Sequence, residues 1–177
     1  MAKCTTKEFM PLTIAVMTVS DRHTLESDTS GHYLADALTA AGHLLADHMI
    51  INDNRYQIRA QVSQWIADDS IHAVIINGGT GFTQHDSTPI AVAPLFDRNM
   101  EGFGELFRHL SFEDIGTSSV QSRAIAGLAN QTAIFCIPGS PGACKLGWEK
   151  IISEQLDARH RPCNFVGHLT QRTENHK

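Results

Sequence analysis

Asp21, Asp53 and Asp86 are the acidic residues of this chain whose placement points to chemistry. Each stands a few residues after an apolar, β-branched run, and the third follows a glycine cluster, Gly78-Gly79-Thr80-Gly81. Glycines just past a buried strand let the backbone take positive φ and let a ligand lie against bare amides, which is how many proteins hold phosphate. Carboxylates gathered beside such a loop suit Mg²⁺, a hard cation that takes one or two protein acids, keeps several waters and shares the remaining positions with phosphate oxygens. A plain glycine turn, with each Asp acting as a helix cap or turn former, accounts for the same residues one at a time. Their joint occurrence at the ends of separate strands is what favours a site.

Other chemistries fit less well. Gly79-Thr80-Gly81 begins a GxGxxG whose third glycine position is Gln84, and the cluster lacks the Lys of a Walker A loop. Gly102-Phe103-Gly104 fails in the same way, with Phe107 at the third position. Ser140, within Pro-Gly-Ser-Pro-Gly, does not make a strained nucleophile elbow and reads as a helix cap or phosphate donor; Ser20 also lacks that context. The ten histidines form no HExxH, and the four cysteines form no CxxC, so neither zinc nor a redox pair is indicated. Free thiols in a reducing cytoplasm are the expectation.

The elements that must position these residues alternate. Apolar runs over 12–19, 44–51, 73–76 and 132–137 predict strands, of which the first reads as covered on both faces and the second is less regular. Asp28-Thr29-Ser30 opens a helix that Gly42 stops, and Ile58, Val62, Trp65 and Ile66 mark the face of another. Thr88 as N-cap with Pro89, and Ser140 as N-cap with Pro141, begin two further helices, the second with Trp148, Ile151, Ile152 and Leu156 inward. Gly102 and Gly104 predict a tight turn, with a helical turn over 105–110. Thr117-Ser118 predicts the cap of a helix whose face is Val120, Ala124, Ile125 and Leu128. From Asp157 the pattern lapses into a polar tail that predicts partial order, with Phe165, Val166 and Leu169 available for packing.

Strand and helix in alternation predict one three-layer α/β domain with a mostly parallel sheet, whose ligands bind beyond the carboxyl ends of the strands. A flexible segment over 1–10, a domain over 11–165 and a polar tail over 166–177 are the expected divisions. The 177 residues, 42% hydrophobic and 19% charged, can bury one core. A net charge of −5 with scattered Lys and Arg gives no footprint for nucleic acid, and no run is long and apolar enough to span a membrane. The first residues lack the pattern of a signal peptide, so a cytoplasmic protein is expected.

Several stretches taken together resemble a known family: TVSDR (18–22), DTSGHYL (28–34), INDNRYQIRAQV (51–62), INGGTGFTQHDSTP (76–89), PLFDRNMEGFGELFR (94–108), SFEDIGTSSVQSRAIAG (111–127), IPGSPGAC (137–144) and LDARHRPCNF (156–165). They are similar to the molybdenum cofactor biosynthesis proteins of the MoaB/MogA type, a domain shared with gephyrin and the plant Cnx proteins. The resemblance implies a molybdopterin-binding fold assembled as homotrimers or homohexamers. It also implies adenylylation of the terminal phosphate of molybdopterin with ATP and Mg²⁺, releasing pyrophosphate ahead of molybdate insertion. Some members look like non-catalytic binding or scaffolding proteins, which is the alternative. By matching position, the two functional acids and metal ligands are Asp53 and Asp86. Gly78, Gly79, Thr80 and Gly81 match the phosphate loop, with Ser20, Asp21, Glu101, Ser118 and Ser140 around the same crevice. Gln84-His85 stands where the family often has basic residues. Other proteins of the same pathway are implied as partners.

Overall fold

A computed structural model describes residues 8–171. Its strands are β1 (Thr13–Val19), β2 (Leu44–Ile51), β3 (Ala73–Asn77), the short β4 (Arg98–Asn99), β5 (Ile125–Ala129) and β6 (Thr132–Ile137). The helices are α1 (Thr29–Ala40), α2 (Arg55–Ala67), α3 (Thr88–Val92), α4 (Glu101–Ile115) and α5 (Pro141–Gly147), the last continuing through a π turn, Trp148–Ile152, into Ser153–Gln155. The six strands lie in the order β2-β1-β3-β6-β5-β4. The first four are parallel, β5 runs antiparallel to β6, and β4 antiparallel to β5.

Every residue of β3 and β6 is buried, as strands covered on both faces require. On β1 the side chains alternate with the pleat. Ile14 and Val16 join Leu34 and Leu38 of α1, Phe103 and Phe107 of α4, and Trp148 on one face of the sheet. Ala15 and Met17 join Ile58, Val62 and Trp65 of α2 and Ala91 and Val92 of α3 on the other. The layers are therefore helix, sheet and helix, as expected. Strand order turns back on itself between β1 and β3, and in such sheets a crevice opens at the carboxyl ends of those strands.

Two segments differ from the sequence reading. No tight turn forms at Gly102 and Gly104, because Phe103, Phe107 and Ser111 recur at helical spacing and give α4 one continuous buried stripe. Gly104 serves packing instead: a Cβ there would lie 2.6 Å from the Ala124 carbonyl oxygen. The helix expected after Thr117 is replaced by a 3-10 turn over Gly116–Gln121 followed by β5. Asn130 (φ 46°) and Gln131 (φ 64°) take the paired positive φ of a tight hairpin turn, and the ladder to β6 holds Ile125–Ala129 extended.

Beyond residue 165 the core continues, because a helical turn over Val166–Leu169 buries both of its end residues against the α1 face of the sheet. Asn164 ties this turn down: its side-chain amide donates to the His160 carbonyl (3.0 Å), and its Oδ1 accepts from the Val166 amide (3.1 Å). Residues 1–7 and 172–177, which hold Cys4, most of the expected flexible N-terminus and the end of the polar tail, lie outside the described residues. Among the described residues no helix is long and apolar enough to cross a membrane.

Candidate functional site

The glycine cluster leaves β3 with Gly78 at φ 91° and Gly79 at φ 61°, conformations that favour residues without a Cβ. A side chain at Gly78 would run into the Val19 carbonyl, and one at Gly79 into the Thr88 hydroxyl. The turn is pinned from both sides. The Gly78 amide donates to the Ile137 carbonyl (3.1 Å), and the Thr88 amide to the Gly79 carbonyl (2.9 Å). The fully buried Thr88 hydroxyl donates to the Gly78 carbonyl (2.8 Å). Thr88 is thus the first residue of α3 and a brace for the loop, and Ser87 takes the N-cap position that the sequence assigned to Thr88.

The three acids meet here. Asp21 Oδ1 accepts from the Asp53 amide (3.0 Å), and both carboxylate oxygens of Asp53 accept from the Ser87 amide (3.1 and 3.3 Å). Asp86 Oδ2 accepts from the amide (2.8 Å) and hydroxyl (2.6 Å) of Thr83. With Ser20, Gly79 and His85, the acids line a cavity of about 690 Å³. Ser20, Gly79 and Asp86 also line a second cavity of about 620 Å³, walled by Asp28, Asn77, Thr80, Gly81, Ser118 and Gly139. The result is one crevice in two parts.

The acids differ in charge state. Burial pushes the Asp53 carboxyl above the usual aspartate range; hydrogen bonding from the Ser87 side chain and amide offsets this in part, and the neighbouring Asp21 and Asp86 add to the rise. Burial also acts to raise Asp86, but Thr83, the Gly81 amide and the Arg123 guanidinium outweigh it and hold that carboxyl below its ordinary value. Hard oxygen donors that repel one another, one of them driven toward protonation, are a set that a divalent cation relieves, and Asp53 with Asp86 fits Mg²⁺. Among the described residues no three His, Cys, Asp or Glu converge as a closed metal cage. A cation here would take one or two protein ligands and draw the rest from substrate and water.

The other expected residues divide. Ser118 lies on the 3-10 turn and faces the second cavity. Ser140 is exposed and caps α5 by accepting from the Ala143 amide (3.3 Å), while Gly139 and Pro141 on either side of it line the cavity. Glu101 is not brought to the crevice. With α4 helical from Glu101 onward and the Met100 amide bonded to the Ala126 carbonyl (2.8 Å), its first turn stands beside β5. There Glu101 lines a separate cavity of about 580 Å³ with Glu105, Arg108 and Arg123.

Two features escaped the sequence reading. The floor of the second cavity is a buried polar chain in which Asn77 Nδ2 donates to Thr18 Oγ1 (2.7 Å) and Thr18 Oγ1 donates to Asp28 Oδ2. Asp28, read only as a cap, does cap α1 through the Gly31 amide (2.9 Å) and is also part of this floor. Arg123 braces the rim: Nε donates to the Thr80 carbonyl (3.2 Å) and Nη2 to the Asp86 carbonyl (2.6 Å). Its neighbours read as helix, so nothing in the sequence placed it at this edge. A lone cation closing a polar run, Thr117 to Arg123, was the one available signal.

Comparison with known proteins identifies the family. Residues 15–158 match the family described as "Probable molybdopterin binding domain". The chain is 60% identical over 162 residues to molybdenum cofactor biosynthesis protein B of Escherichia coli (strain K12), covering 92% of this chain and 95% of that protein. It is 44% identical over 142 residues to the protein of the same name from Bacillus subtilis (strain 168), covering 80% and 84%. A crystal structure of a molybdenum cofactor biosynthesis protein B superimposes with a TM-score of 0.81 at 36% identity, over 94% of this chain and 97% of that one. The chain belongs to the MoaB/MogA family of molybdenum cofactor biosynthesis proteins.

Proposed function

We propose that the chain binds molybdopterin and ATP in the two-part crevice and transfers AMP to the terminal phosphate of molybdopterin. A phosphate oxygen of molybdopterin attacks the α-phosphorus of ATP, the bond to the β-phosphate breaks, and pyrophosphate leaves with its electron pair. Positioning and charge screening carry most of such a reaction, because little covalent chemistry falls to the protein. The observation that supports this reading is the meeting of Asp21, Asp53 and Asp86 beside a pinned glycine turn at the edge of two adjoining cavities. Amides of the Gly78 to Gly81 turn offer donors to phosphate oxygens, and Asp53 and Asp86 would hold Mg²⁺, which screens phosphate charge. The Thr83 and Gly81 donors keep Asp86 ionised for that task. Assembly into homotrimers or homohexamers and contact with other proteins of the pathway complete the proposal.

Molybdopterin-dependent release of pyrophosphate from Mg-ATP tests it. Asp86→Asn should abolish release while the circular dichroism spectrum and molybdopterin binding persist, and unchanged turnover in that variant would sink the assigned role. Binding of molybdopterin without ATP consumption, whatever divalent ion is supplied, would identify a non-catalytic carrier.

A further inference from the structure

Among the described residues, Arg123 is the side chain from outside the Thr80 to Asp86 segment that bonds to its backbone; the His85 ring at the tip also stands 3.9 Å from the Asp21 carboxylate. Arg123 Nε donates to the Thr80 carbonyl (3.2 Å), Nη2 to the Asp86 carbonyl (2.6 Å), and the guanidinium lies 5.1 Å from the centroid of the Phe82 ring. Between those ends the tip is solvent-facing, with Phe82, Thr83, Gln84 and His85 all exposed. Within the tip the bonds are few: Thr83 to the Asp86 carboxylate, the Asp86 amide to the Thr83 carbonyl (3.2 Å), and the His85 amide to the Thr83 hydroxyl (3.3 Å). These shape a turn but do not fix it to the body of the protein.

The two carbonyls that Arg123 holds belong to peptide planes whose other halves face the acids. In a trans peptide the N–H points opposite to the C=O of the same plane. The plane carrying the Thr80 carbonyl carries the Gly81 amide, which is among the donors that stabilise the Asp86 carboxylate. The plane carrying the Asp86 carbonyl carries the Ser87 amide, which donates to both oxygens of Asp53. Drawing the carbonyls toward one guanidinium therefore aims one amide at each acid. Arginine suits this task because its fork is planar, rigid and permanently charged, whereas a lysine ammonium is a point charge on a flexible stem.

We propose that Arg123 is a positioning residue of the phosphate site, one that orients Asp53 and Asp86 through the Ser87 and Gly81 peptide planes and so preforms the site before ligand arrives. The proposal rests on reading the crevice as a phosphate site. It adds a residue that touches neither the metal nor the reacting phosphates, and its effect falls on two acids at once.

The test compares wild type, Arg123→Gln and Arg123→Lys. Without nucleotide or metal, amide NMR spectra should show the Gly81 and Ser87 N–H signals both shifted upfield and exchanging faster in Arg123→Gln, because neither amide is still aimed at its carboxylate. Arg123→Lys should leave the Ser87 signal displaced, because one ammonium does not replace the fork. Affinity for Mg-pyrophosphate should fall about tenfold in Arg123→Gln, the scale of a lost charge-assisted hydrogen bond. Unmoved amide signals and unchanged affinity in a folded variant would overturn the proposal. Should Arg123→Gln fail to fold, a Ser87 signal left at its wild-type position in Arg123→Lys would overturn it equally, and a displaced one would support it. The amide spectra need no turnover, so a wild type that never releases pyrophosphate refutes the adenylyl transfer and leaves the Arg123 assignment standing.

Discussion

Asp53→Asn is expected to make the metal-free protein more stable at neutral pH. Asp53 is partly buried, and burial followed by the proximity of Asp21 and Asp86 raises its carboxyl above the ordinary aspartate value. An acid with a raised folded value is protonated in both states at low pH, and it opposes folding once pH rises through the folded value, where the native protein must hold the charge. Removing that charge lifts the cost of burying it, the largest cause, and relieves two like-charge neighbours, together worth roughly 1–2 kcal/mol after screening by solvent. Against this, the Ser87 amide bonds change from charge-assisted to neutral, a loss of about 0.5–1 kcal/mol. The net gain is about 0.5–1 kcal/mol, or about 1–4 °C in Tm for a chain of this size. Paired thermal melts in chelator measure it. The gain should shrink as pH is lowered toward 3.8, the ordinary aspartate value, and Mg²⁺ should stabilise wild type but not the variant. A less stable variant at pH 7, or a gain untouched by acid, would refute the reasoning.

Two further outcomes complete the set begun with Asp86→Asn and Arg123→Gln. Gly31→Ala should lower the urea-unfolding free energy by about 1–3 kcal/mol, because a methyl group there would run into Asp28 Oδ2, His48 Nε2 and Thr18 Oγ1 beneath the second cavity. In a Cys4→Ser background, an aromatic disulfide reagent should label Cys163 rapidly, since it is exposed. Burial pushes the Cys144 thiol up to about 12 and Cys136 higher still, so both should label only on unfolding.

The parallel half of the fold was legible from local pattern, because strands covered on both faces leave long apolar runs, as β1, β3 and β6 do, while the exposed edge strand β2 left a less regular one. The acids were legible for the same reason, since residues following parallel neighbours share one edge. The antiparallel half was not. Val120, Ala124, Ile125 and Leu128 mimic a helical face, and only pairing with β6 reveals Ile125–Ala129 as a strand. Glu101 was placed at the crevice by the family resemblance alone, and no local pattern in the sequence shows which side of a sheet edge a helix start will occupy. The Asn77, Thr18 and Asp28 floor joins residues 59 and 10 positions apart, a contact that no spacing rule anticipates.

The reversed direction of β5 has a consequence for how this rim is supplied. A parallel strand delivers to the ligand edge only what comes after it, so β1, β2 and β3 contribute Asp21, Asp53 and the glycine turn as the chain departs. β5 pairs Ile125 with Cys136 near the end of β6, so its beginning lies at that same edge. Arg123 therefore reaches the rim as the chain arrives. Had β5 been parallel, the same residue would have entered the sheet at the opposite edge, a strand's length from Thr80 and Asp86. One reversed strand lets the rim recruit from an inbound segment, and what it recruits is a cation that braces the outbound loop.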